Sequence, residues 1–103
     1  MTKLETEFTM ALIAAIEKAE ALTGTGEPRL LAQAQKDGGP KAVRQLLSRG
    51  QTTRQFEPLK QLGHLELTPE ALVIQGKYGS LFSDDEVNRC LEVLLSAGMF
   101  ERQ

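Results

Sequence analysis

Leu65-Glu66-Leu67-Thr68-Pro69-Glu70-Ala71-Leu72-Val73-Ile74 is the stretch on which the fold class turns, because it reads two ways. Leu65 and Leu67 alternate about Glu66, and Val73-Ile74 is a β-branched pair, which suits strands. Thr68-Pro69-Glu70 is instead a helix start. The threonine can cap free backbone N–H groups, proline has the φ of a first helical residue, and an acid is favoured in the first turn. The capping chemistry decides for a short, largely buried helix after Thr68. Leu65–Leu67 is then a three-residue extended piece, too short to build a sheet.

The segments on either side are helical. Ser83-Asp84-Asp85-Glu86 is a capping box, with Phe82 and Val87 placed for a hydrophobic staple. The helix that follows carries Val87, Cys90, Leu91, Leu94 and Leu95 on one stripe and stops at Gly98. Between the two helices, Gly76 and Gly79 are expected to break the chain, with Tyr78, Leu81 and Phe82 returning a loop to the core.

Upstream, Phe56, Leu59 and Leu62 have helical spacing, but a helix interior does not accept Pro58 without a kink. The expectation is a turn ending near Phe56 and a short helix over 58–62, capped by Gly63. The first helix runs from about Thr2 to Leu22, with Leu4, Phe8, Leu12, Ala15, Ala19 and Leu22 on one stripe and Gly24 as its left-handed cap. A second helix opens at Pro28 and buries Leu30, Leu31 and Ala34. A third opens at Pro40 and turns Ala42, Val43, Leu46 and Leu47 inward. The chain thus reads as one all-α domain over 1–103, a compact bundle of about five to six helices.

Charge is the strongest functional signal. Residues 29–60 hold seven Lys or Arg (Arg29, Lys36, Lys41, Arg44, Arg49, Arg54, Lys60) against Asp37 and Glu57, a net +5 between flanks of −3 and −4. The whole chain is close to neutral at −2. Lys41, Arg44 and Ser48 share one face of the third helix, with Gln45 and Arg49 beside it. Arg and Gln can read base edges while Lys and Ser hold phosphates, so Lys41, Arg44, Gln45 and Arg49 are the candidate nucleic-acid residues. Lys36, Arg54 and Lys60 could extend that patch. Three features oppose this reading. Gly38-Gly39-Pro40 breaks the chain more sharply than the usual helix-turn-helix turn. The pI is about 5.4. Aromatic residues are 5% of the chain, too few for base stacking to supply most of an affinity.

Catalytic and metal chemistry find little support. His64 is the only histidine, and Glu66 could assist it only if the segment is extended. Asp84, Asp85 and Glu86 are explained by the helix start and lack the spacing of a calcium loop. Gly76-Lys77-Tyr78-Gly79-Ser80 lacks phosphate-loop spacing. Cys90 lies on an apolar stripe, where a cysteine packs rather than reacts. A lone cysteine makes neither an internal disulfide nor a cysteine-cluster zinc site. No membrane span or leader is visible, and the expected location is cytoplasmic.

Leu65-Glu66-Leu67-Thr68-Pro69-Glu70-Ala71-Leu72-Val73-Ile74, followed by Leu81-Phe82-Ser83-Asp84-Asp85-Glu86, resembles the tail of a small helical module common in bacterial genomes. That module reads "LDLT-x-EALVL" and then "LF-T-x-EE". Gly38-Gly39-Pro40-Lys41-Ala42-Val43-Arg44-Gln45-Leu46-Leu47 is similar to its "GG-x-x-AA-x-RLL" segment. The likeness covers roughly residues 10–96 and implies an autonomous helical domain, with no catalytic residues to carry over. Pro58 and the absence of Trp depart from an aromatic-rich segment of that module.

The functional expectation is a non-enzymatic bacterial interaction module without cofactor or metal. It docks on a protein partner or on a second copy of itself. Its charged faces steer the contact, and Met99 and Phe100 anchor it. The alternative is a nucleic-acid-binding module using the basic segment.

Overall fold

The computed structural model describes residues 2–50 and 52–98. The described residues form six α-helices and two 3-10 turns, with no strand. The helices are α1 (Lys3–Thr23), α2 (Pro28–Asp37), α3 (Gly39–Ser48), α4 (Phe56–Leu62), α5 (Pro69–Val73) and α6 (Asp84–Ser96). The 3-10 turns are Leu65–Leu67 and Gly76–Leu81. The all-α reading therefore holds.

The deciding stretch folds around one hydroxyl. Thr68 Oγ1 accepts the Ala71 N–H at 3.2 Å and donates to the Leu65 carbonyl at 2.7 Å, joining the first 3-10 turn to α5. Leu65–Leu67 is not extended. A short segment with no neighbouring strand satisfies its backbone locally, and here Leu67 and Thr68 donate to the carbonyls three residues back. Gly76–Leu81 does the same and forms a 3-10 turn where a broken loop was expected. Tyr78 and Phe82 still reach the core from it.

Helix α1 is the hub, packed against α2, α3, α4, α5 and both 3-10 turns. Thr2 and Glu5 close a capping box at its start, and Gly24 ends it in the left-handed region. Its buried residues are Phe8, Leu12, Ile16 and Ala19. Ile16 belongs to the core stripe, while Leu22, placed there by spacing, is exposed. Phe8 stands at the centre, edge-on to Tyr78 and Phe82 at centroid distances of 5.1 and 5.2 Å. A smaller cluster of Phe56, Leu65, Ala71 and Leu94 closes the other end, and Ile74 packs against both clusters.

Two further expectations need correction. α4 begins at Phe56, two residues before Pro58. Proline as the third helical residue displaces no intrahelical hydrogen bond, because the first N–H groups of a helix have no partner within it. In α6 only Cys90 and Leu94 are buried, and Leu91 and Leu95 of the predicted stripe face outward.

Gly38 and Gly39 do different work between α2 and α3. Gly38 has φ 93° and ψ 150°, a conformation open essentially to glycine alone. Gly39 is a matter of space. Its N–H donates to Thr9 Oγ1 at 2.8 Å, and a Cβ there would stand 2.9 Å from the Thr9 Cα. Gly39→Ala should therefore cost on the order of 2 kcal/mol in urea unfolding, since the α1 backbone must move. Gly76→Ala is the control. A Cβ there meets nothing within 4 Å, so the change should stay within about 0.5 kcal/mol. Equal losses in the two variants would refute the close approach of α3 to α1.

Candidate functional site: a basic cleft between α2 and α3

The sequence places four candidate residues on α3, and the structure divides them. Arg44 is turned back onto the protein. Its guanidinium donates to the Leu81 carbonyl, lies 5.5 Å from the Phe82 ring centroid, and pairs with Glu86 at 3.8 Å. Gln45 accepts a hydrogen bond from the Gln33 side chain of α2. These two side chains tie α3 to its neighbours. Lys41 and Arg49 are exposed, with no side-chain hydrogen bond or ion pair among the described residues. Met99 and Phe100 lie outside the described residues.

Arg49 belongs to a constellation that spacing along α3 does not reveal. A cleft of about 270 Å³ opens between the start of α2, the outer side of α3 and residues 52–54. Arg29, Arg49 and Arg54 line it, from three separate segments. None of the three side chains forms a hydrogen bond or ion pair among the described residues. Gln33, Thr52 and Thr53 add neutral polar groups, and Leu30, Ala42 and Leu46 form an apolar part of the wall. A second hollow shares Arg29, Gln33 and Arg49 with the first and adds Lys36 and Asp37. The basic segment is thus a grooved cationic surface.

A buried glutamine holds the third wall in place. Gln55 is 2% exposed. Its side-chain amide donates to the carbonyls of Ile16 at 3.1 Å and Thr25 at 2.7 Å, and its backbone N–H donates to Glu27 Oε1 at 2.8 Å. These bonds fasten residues 53–55 to the α1–α2 connection and set Thr53 and Arg54 at the cleft. Among the described residues Glu27 is the one acid in the lining, and it is itself buried. Thr53 is also buried, and its Oγ1 has no hydrogen-bond partner among the described residues.

The other candidates resolve simply. His64 Nδ1 and Glu66 Oε2 are 2.9 Å apart although the segment is a 3-10 turn, and this bond lowers the Glu66 pKa. Both side chains are about half exposed, a surface pair without the enclosure that general acid–base work uses. Ser83 and Glu86 close the expected capping box. Cys90 is fully buried, and burial, with Glu70 and Glu86 nearby, pushes its thiol up to about 12, so it stays protonated. Among the described residues, no three His, Cys, Asp or Glu side chains group to hold a metal, and no helix is long and apolar enough to cross a membrane.

Comparison with protein-family models, with curated proteins and with solved structures finds no match. The functional reading therefore stands on the geometry of the cleft.

Proposed function

We propose that this chain is a small non-enzymatic docking module whose basic α2–α3 face takes an acidic segment of a protein partner. The carrying observation is that three arginines whose side chains are unpaired among the described residues, Arg29, Arg49 and Arg54, line one cleft. Unpaired guanidiniums around a concave, partly apolar surface favour an anionic group with some hydrocarbon attached.

A protein segment suits this surface better than a nucleic-acid duplex. A recognition helix reads bases from its N-terminal residues. Here Gly38, Gly39 and Pro40 are all buried at that end. Asp85 and Glu86 share a hollow with Arg44 and Ser48 of α3 and with Arg89, so the surface beside α3 is of mixed charge where a duplex needs a cationic one. A short acidic segment in the cleft avoids that surface.

Fluorescence anisotropy tests this choice. The probes are a labelled Asp/Glu-rich peptide, generic duplex DNA and single-stranded RNA, each at low and near-physiological salt. The peptide should bind, weaken with salt, and lose about tenfold or more in affinity in an Arg29→Ala, Arg49→Ala, Arg54→Ala variant. A Lys41→Ala, Arg44→Ala variant should matter less. Tighter binding of either nucleic acid, lost with Lys41 and Arg44, would replace this reading with the nucleic-acid one. No peptide binding at low salt would overturn it.

A further inference from the structure

We infer that the cleft is a phosphate site, one that takes carboxylates weakly and a phosphate monoester dianion in preference to them. This rests on the docking function proposed above and names the group recognised: a phosphorylated side chain on the partner's segment.

The donors are arranged for a group with several anionic oxygens. Arg29, Arg49 and Arg54 bring three forked guanidiniums, each able to donate two parallel N–H bonds to one phosphate. The start of α2 adds backbone donors. Glu27, in the N-cap position, makes no side-chain cap, and the first intrahelical bond goes from Leu31 N–H to the Glu27 carbonyl. Pro28 has no N–H, so the Arg29 and Leu30 N–H groups are left at the positive end of the helix, and both residues line the cleft.

Thr53 gives an independent indication. It is 8% exposed, and its Oγ1 is buried without a hydrogen-bond partner among the described residues. Buried hydroxyls in folded proteins are nearly always paired, and an orphan on a residue lining a cationic cleft can donate to a ligand oxygen after a small side-chain rotation. A carboxylate has two oxygens for these donors, while a phosphate monoester dianion has three charged oxygens and an ester link to its carrier. Glu27 is the counter-argument within the site. Its Oε1 is occupied by the Gln55 N–H, and with its charge included the lining remains net +2.

The test is an NMR titration of the intact chain with inorganic phosphate, acetate, a phosphoserine peptide, its unphosphorylated counterpart, and an oligonucleotide with and without a 5′-phosphate. Phosphate and the phosphopeptide should produce saturable shifts at Arg29, Arg49, Arg54 and Thr53, growing as pH rises and the dianion forms. Acetate should do so only weakly. Each single Arg→Ala variant should weaken phosphopeptide binding about tenfold. Thr53→Val should weaken it severalfold without lowering the unfolding midpoint, whereas a purely structural hydroxyl would lower the midpoint and leave binding unchanged. Equal binding of the two peptides would overturn the phosphate site and leave the docking function standing. No response to either peptide would overturn both. Shifts confined to the 5′-phosphorylated oligonucleotide would keep the phosphate site and remove the protein partner. A phosphate response that survives all three arginine substitutions would refute the location.

Discussion

Replacing Glu70 with glutamine should remove a loss of stability that the native protein suffers as pH rises through neutrality. Glu70 is 1% exposed, and its Oε1 has no hydrogen-bond partner among the described residues. Burial, reinforced by the charge of Glu27 and opposed by Glu70's own backbone N–H, raises its pKa from 4.5 to about 7. Below the unfolded value both states hold the proton and nothing is lost. Between 4.5 and about 7 the native state binds more protons than the unfolded chain, so stability falls as pH rises. Above about 7 the full penalty, roughly 3 kcal/mol, persists. Urea unfolding at pH 5 and pH 8 checks this. The wild type should lose roughly 3 kcal/mol relative to Glu70→Gln across that interval, and parallel pH profiles would contradict it. The effect is large for a domain whose total stability is expected at about 5–15 kcal/mol.

Phe8→Ala should be at least as damaging. Phe8 is fully buried on α1, and its ring meets Tyr78 and Phe82, which anchor the second 3-10 turn and the approach to α6. Truncation removes the buried area, leaves a cavity and abolishes two edge-to-face contacts. The expected loss is about 3–5 kcal/mol in urea unfolding. The near-ultraviolet signal of Tyr78, the only tyrosine, should lose intensity even under native conditions. A loss below about 1 kcal/mol would mean that α1 is not the hub of the core.

What could be read from the chain, and what could not, follows from the range of the forces involved. The caps at Thr68 and Ser83, the proline starts of α2 and α5, and Gly24 and Gly63 as helix ends act within one turn, so their residues stand together in the sequence. Errors arose where neighbours far along the chain decide. Leu91 and Leu95 fit an apolar stripe, but α6 offers the core a face narrow enough to bury only Cys90 and Leu94. On α1, Ala15 and Ile16 are adjacent candidates for one stripe, and only the packing selects Ile16. The site shows the same limit. Arg29, Arg49 and Arg54 were visible as members of a basic segment, but their meeting depends on Gln55, whose three hydrogen bonds reach back 28 to 39 residues. Local spacing favoured Arg44 and Gln45, which the fold uses to hold α3 in place.

The Gln55 bonds carry a kinetic consequence. Ile16 lies within α1, Thr25 and Glu27 lie between α1 and α2, and all three are fastened to one residue. The segment around 53–55 cannot lift away without breaking these three bonds together, two of them buried and one partly buried, and breaking them frees the α1–α2 connection as well. The two segments should therefore form a single opening unit in native-state hydrogen exchange, with the Gln55 amide and the side-chain amide protons exchanging at matched free energies. Anything that fills the cleft would slow both sets of protons in step, so these protons would record occupancy without touching the ligand.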